Sequence, residues 1–131
     1  MNYQGTIIEE SLEDTSILKG LKITLGTMQE PVTEKHQTPW VRQWTHHFVE
    51  ISADTAVEFV HTLSNTLDSK HPWYADFKTD SDHYIIFREK IFHITDRSNK
   101  QQYDEATHYG FALGIPEYQL DFSPYIKHGQ R

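Results

Sequence analysis

A segment of alternating aromatic and β-branched residues that runs directly into a capped helix is what most constrains this chain. From Trp40 to Ile51 (WVRQWTHHFVEI) the composition is that of a strand. A period of two puts Trp44, His46 and Phe48 on one face and Thr45, His47, Val49 and Ile51 on the other. Ser52 follows as an N-cap, and Asp54 suits the positive end of a helix dipole. Ala56, Val60, Leu63 and Leu67 then recur at helical spacing, with Val57 and Phe59 widening the stripe. A strand joined without a linker to a helix with one apolar stripe implies a sheet with a helix packed on it.

The flanking sequence supplies more strands. Residues 3 to 10 read as a first strand. Asp14 then caps a brief turn carrying Ile17, Leu18 and Leu21, with Gly20 as its breaker. Lys22 to Gln29 alternates Ile23 and Leu25 against Lys22 and Thr24, the pattern of a half-buried strand, and Pro31 to Pro39 is a polar loop. After His71-Pro72, the segments Tyr74–Phe77, Tyr84–Phe87 and Ile91–Ile94 form a three-strand meander, the last two joined by Arg88-Glu89-Lys90. Ser98 and Gln101 stand at capping-box spacing before a helix carrying Tyr103, Ala106, Gly110 and Leu113, which Gly114 and Pro116 stop. The tail from Glu117 to Tyr125 reads as a short strand through Tyr118, Leu120 and Phe122, and residues 126 to 131 as frayed.

Together these predict one α+β domain over residues 1–131, with a mixed or antiparallel sheet and helices on one face. The first six elements fit a ferredoxin-like split βαβ arrangement, with the rest as a C-terminal extension. A parallel crossover needs a dozen or more residues, and the first link has barely that.

Composition removes several kinds of chemistry. With 131 residues the chain can bury a core of its own, and it has no cysteine, which excludes thiolate nucleophiles, Cys-based zinc sites and iron–sulfur clusters. No basic and apolar leader opens the sequence, and apolar runs such as Tyr84–Phe87 fall far below the roughly 18 residues of a membrane span, so a soluble, cytoplasmic protein is expected. Net charge is −7, and Lys and Arg are scattered, which argues against nucleic acid and an anionic membrane as partners. No phosphate-cradling glycine loop and no G-x-S-x-G turn is present, and no cofactor is implied.

Nine histidines remain to be accounted for. None stands at i, i+2 or i, i+4 to another, and His46 and His47 point to opposite strand faces, so spacing implies no metal site. A site drawn from distant loops, such as His36, His83 and Asp80, is the weakest of three readings. Acid–base chemistry by His46, Asp76 and His83 is the second: a histidine between aromatics and a carboxylate beside Tyr74 have surroundings that shift pKa values. The leading expectation is a binding or interaction domain that forms a homo-oligomer or takes a small-molecule ligand. Trp40, Trp44, Trp73 and Tyr74 would form its surface, beside loops carrying His36 and His71. Glu9, Glu10, Glu13 and Asp14 read as a solvated helix start.

Overall fold

Six strands form one sheet in the computed structural model, which describes residues 2–120 and Phe122. They are β1 (Asn2–Ile8), β2 (Lys22–Pro31), β3 (Gln43–Ser52), β4 (Tyr74–Lys78), β5 (His83–Phe87) and β6 (Lys90–Ile94). Helix α1 spans Ala53–Thr66 and α2 spans Lys100–Ala112. The strand order is β2-β3-β1-β4-β5-β6, and every pairing is antiparallel. β3 and β4 therefore run parallel to each other on either side of β1, with α1 as their crossover. β1 and β2 do the same around β3. This is the split βαβ order of the first six elements, and the β5–β6 hairpin extends it.

The short first crossover is made without an α-helix. Two 3-10 turns, Glu9–Ser11 and Thr15–Leu18, carry the chain across. Asp14 caps the second, its Oδ1 accepting the Ser16 N–H at 2.9 Å, and Gly20 ends it at φ 81°. The acidic residues here are structural ties and not a solvated helix start. Glu10 accepts from the backbone N–H and the hydroxyl of Thr45, at 2.6 and 2.7 Å. Glu9 lies 3.0 Å from His47, and Glu13 accepts from Ser69 and Arg88.

β1 can occupy the middle of the sheet because of Gly5. A Cβ there would lie 2.1 Å from the Asp76 carbonyl oxygen and 2.5 Å from the Phe77 ring, so β4 closes on β1 only over a glycine. On the far side, β2 is irregular between Ile23 and Thr27, with Gly26 at φ 84°, and Ile23 is exposed on this outer strand.

The helices lie on opposite faces, which corrects the expected one-sided layer. β5 gives the reason: it is buried along its whole length, so both of its faces need cover. Tyr84 and Ile86 join the core made by Val60, Leu63 and Phe77 under α1. Ile85 and Phe87 join Tyr103 and Ala106 of α2 on the other side. Ser52 caps α1 by accepting the Asp54 N–H at 3.1 Å. The cap of α2 is Asn99, whose Oδ1 accepts from the N–H groups of Gln101 and Gln102 at 3.0 and 3.3 Å. Ser98 lies one residue ahead of the cap, where its N–H and hydroxyl both donate to Asp96 Oδ1.

After α2 the chain forms a 3-10 turn, Glu117–Leu120, where a strand was expected. Except for Phe122, the remainder of that expected strand and the expected frayed residues 126 to 131 lie outside the described residues. Among the described residues no helix is long and apolar enough to cross a membrane.

Candidate ligand-binding cavity

On the face that carries α2, the helix covers β5 and β6. The part built by β3, β1 and β4 is walled instead by two irregular segments, residues 34–38 and 114–119, and between these a cavity of ≈ 300 Å³ remains. Its floor is Thr6 and Ile8 from β1, Trp44 and His46 from β3, and Tyr74 and Asp76 from β4. The register explains this grouping. Ile8 pairs with His46 and Thr6 with Asp76, so the histidine and the carboxylate stand in neighbouring rows on either side of β1.

The polar chemistry on the β3 side is built around Glu30. Met28 pairs with His46 and Glu30 with Trp44, which turns Glu30 to the cavity face. Its carboxylate meets two histidines: His46 Nε2 at 3.1 Å and His36 Nε2 at 3.2 Å. Burial pushes the Glu30 carboxyl up, but hydrogen bonds from His46 and His36 outweigh that and hold it below the usual range. Both imidazoles are nearly inaccessible, at 2% for His36 and 3% for His46.

Geometry fixes the tautomer of His36. Its Nδ1 accepts the Thr33 backbone N–H at 2.9 Å, so the ring proton sits on Nε2, facing Glu30. This closes the 3-10 turn Glu34–His36, which ends on Gln37 in the left-handed conformation at φ 57°. The same turn brings His36 edge-on to Trp44 at 4.5 Å, while Trp44 Nε1 donates to Thr38 Oγ1 at 2.9 Å. His46 differs in one respect. Its Nδ1 is buried and has no hydrogen-bond partner.

Asp76 is held from behind. His83 Nε2 lies 2.6 Å from Asp76 Oδ2, and His83 Nδ1 lies 3.1 Å from the Tyr103 hydroxyl. Arg97 Nε donates to that same hydroxyl at 3.3 Å, completing a buried chain from Arg97 through Tyr103 and His83 to the cavity wall.

The expected residues are thus divided. His46, Asp76, Trp44, Trp73 and Tyr74 line one cavity. His83 does not line it and positions Asp76 instead. Trp40 stands outside, stacked on His71 at 3.9 Å and edge-on to Trp73 at 6.2 Å. The loop site of His36, His83 and Asp80 is not assembled: each histidine has both ring nitrogens committed, and Asp80 is exposed. Among the described residues no group of three or more His, Cys, Asp or Glu could hold a metal ion. Glu30 was missed because it falls between the strand read to Gln29 and the loop read from Pro31.

No protein family, curated protein or solved structure matches this chain.

With Nε2 facing a carboxylate, the proton of neutral His46 belongs on Nε2, and Nδ1 is left as a bare lone pair. The Glu30 carboxylate thereby fixes the direction of the ring.

Proposed function

We propose that this chain is a small-molecule binding domain whose site is the cavity on the β3-β1-β4 floor. The observation that supports the reading best is the lining itself. Separate segments bring Trp44, Trp73 and Tyr74 together with His46, Glu30 and Asp76 around ≈ 300 Å³. Apolar walls with a few convergent polar groups are the usual composition of a ligand site, and this volume is at the small end of such sites.

The test is a fragment screen followed by amide chemical-shift mapping, with Thr6→Phe as a variant that fills the floor. Ligands that perturb Trp44, His46, Tyr74 and Asp76, and lose affinity in Thr6→Phe, support the proposal. Hits confined to other surfaces, or no hits at all, would reject it.

An acid–base enzyme is the second reading, favoured by the Glu30–His46 pair and Asp76 on one cavity wall. Turnover of a cavity ligand that disappears in His46→Gln would advance it over simple binding. A homo-oligomer is part of the proposal, supported by the exposed side chains of Phe111, Leu113 and Tyr118 around the end of α2. Light scattering measures it directly. A cytoplasmic location rests on the sequence alone and is checked by cell fractionation.

A further inference from the structure

Glu30 is a charge of the cavity wall that a ligand can reach, since its side chain is 37% exposed. Each carboxylate oxygen meets one buried imidazole, Oε1 at 3.1 Å from His46 Nε2 and Oε2 at 3.2 Å from His36 Nε2. An ionised carboxyl has about four acceptor positions, so two stay open here. Burial works against its ionisation, but the hydrogen bonds from His46 and His36 outweigh that and keep it ionised in neutral solution. The two wall atoms without a hydrogen-bond partner are the donor Trp73 Nε1 and the acceptor His46 Nδ1. Both are sealed off from the cavity and set no requirement on what enters.

The surroundings of Glu30 point the same way. Trp44 Nε1 is spent on Thr38, the Tyr74 hydroxyl donates to the Gln119 carbonyl, and Gln119 Nε2 donates to the His36 carbonyl at 3.2 Å. Asp76, backed by His83 at 2.6 Å, is a second carboxylate on the wall of a chain whose net charge is −7. Lys35 is also on the lining, but it is exposed, where an ion pair with an anion is worth little. Trp44, Trp73 and Tyr74 supply the apolar wall, and aromatic rings attract cations through their faces.

Resting on the reading of this cavity as the ligand site, we propose that its ligand is a small organic cation, an amine or amidine on an apolar body, whose N–H groups donate to the open positions of Glu30. The apolar body lies against the aromatic wall, and the ammonium or amidinium head faces the carboxylate. A neutral isostere loses the charge-assisted hydrogen bond, and an anion meets Glu30 and Asp76 as like charges.

The experiment titrates the full chain, labelled with ¹⁵N and ¹³C, with three probes of similar size: benzylamine, benzyl alcohol and benzoate. Spectra are recorded at low salt and about pH 8, above the ordinary imidazole range. Benzylamine perturbs the amides of Trp44, Tyr74 and Asp76, moves the Glu30 side-chain carboxyl resonance, and binds at least about tenfold more tightly than benzyl alcohol. Benzoate binds most weakly of the three. In Glu30→Gln the Kd values of benzylamine and benzyl alcohol converge. Should that variant fail to fold, the Glu30 carboxyl resonance of the unmutated chain decides. Three results overturn this inference and leave the ligand site standing: cavity binding in which benzyl alcohol or benzoate matches benzylamine, an unmoved Glu30 resonance, or a benzylamine preference that survives in Glu30→Gln. Absence of cavity binding by all three probes overturns both.

Discussion

His46 and His83 make a matched pair in which the same substitution should have very unequal consequences. His46→Phe removes one hydrogen bond, from Nε2 to a Glu30 carboxylate that is 37% exposed and keeps His36 as a partner. Solvent screening places that bond near the low end of the scale, about 1 kcal/mol. The substitution also removes a buried, unpartnered Nδ1, relieving a penalty of about 1–3 kcal/mol, and puts an apolar ring beside Trp44 and Phe48. The terms nearly cancel, and stability should change by less than about 1.5 kcal/mol in either direction. His83→Phe is different, because His83 is fully buried and both its nitrogens are engaged, with Asp76 at 2.6 Å and Tyr103 at 3.1 Å. Taking one member from a buried charge-bearing pair costs about 3–5 kcal/mol. Urea unfolding monitored by tryptophan fluorescence measures both in the same buffer. If His46→Phe proves as damaging as His83→Phe, the Nδ1 of His46 is not an unsatisfied buried atom and this reasoning fails.

Gly5→Ala should destabilise the chain by more than the fraction of a kcal/mol usual for a surface change, since its Cβ meets backbone at 2.1 Å; circular-dichroism melts should show a clear drop, and an unchanged midpoint would refute the close approach. Asn99→Ala should cost about 1 kcal/mol and Ser98→Ala less, as judged by chemical denaturation, because the capping oxygen belongs to Asn99. Burial raises the Asp82 carboxyl, but hydrogen bonds from Thr79, Tyr3 and His93 outweigh it and leave the net below the usual range. The unfolded chain therefore binds more protons in acid, and the contribution of Asp82 is complete above about pH 4 and lost as pH falls through the lowered value. Unfolding midpoints between pH 6 and 2.5 should fall less steeply in Asp82→Asn, and an unaltered slope would refute this assignment.

The α+β class, α1 with its Ser52 cap, and the β4–β6 meander were legible because each depends on short-range pattern. Period two through Trp44, His46 and Phe48 and period 3.6 from Ala56 to Leu63 persist whatever packs on them. The side on which α2 lies was not legible, because continuous apolar runs such as Tyr84–Phe87 do not reveal which face a helix takes. Capping by Asn99 was hidden by its neighbour, since Ser98 carries a side-chain oxygen of the same capping type. At the site, His46, Asp76, Trp44, Trp73 and Tyr74 were all singled out. Their convergence depends on β1 lying between β3 and β4, a fact of pairing between residues distant in sequence. Glu30 left no local signal beyond the alternation that carries Met28 and Glu30 to the same face as His46.

The place of β1 also sets an order in time. Its partners are β3, with Tyr3 opposite Ile51, and β4, with Gln4 opposite Lys78. The β2–β3 ladder joined to α1 and the β4–β6 meander are each made from neighbouring sequence, whereas both partners of β1 are distant from it along the chain. Closing those long loops comes late and slowly. Until then neither half has its inner edge covered, and the floor of the cavity does not exist. β1 is thus a seven-residue seam between two ladders, and the cavity floor, drawn from β3, β1 and β4, is complete only when both are paired.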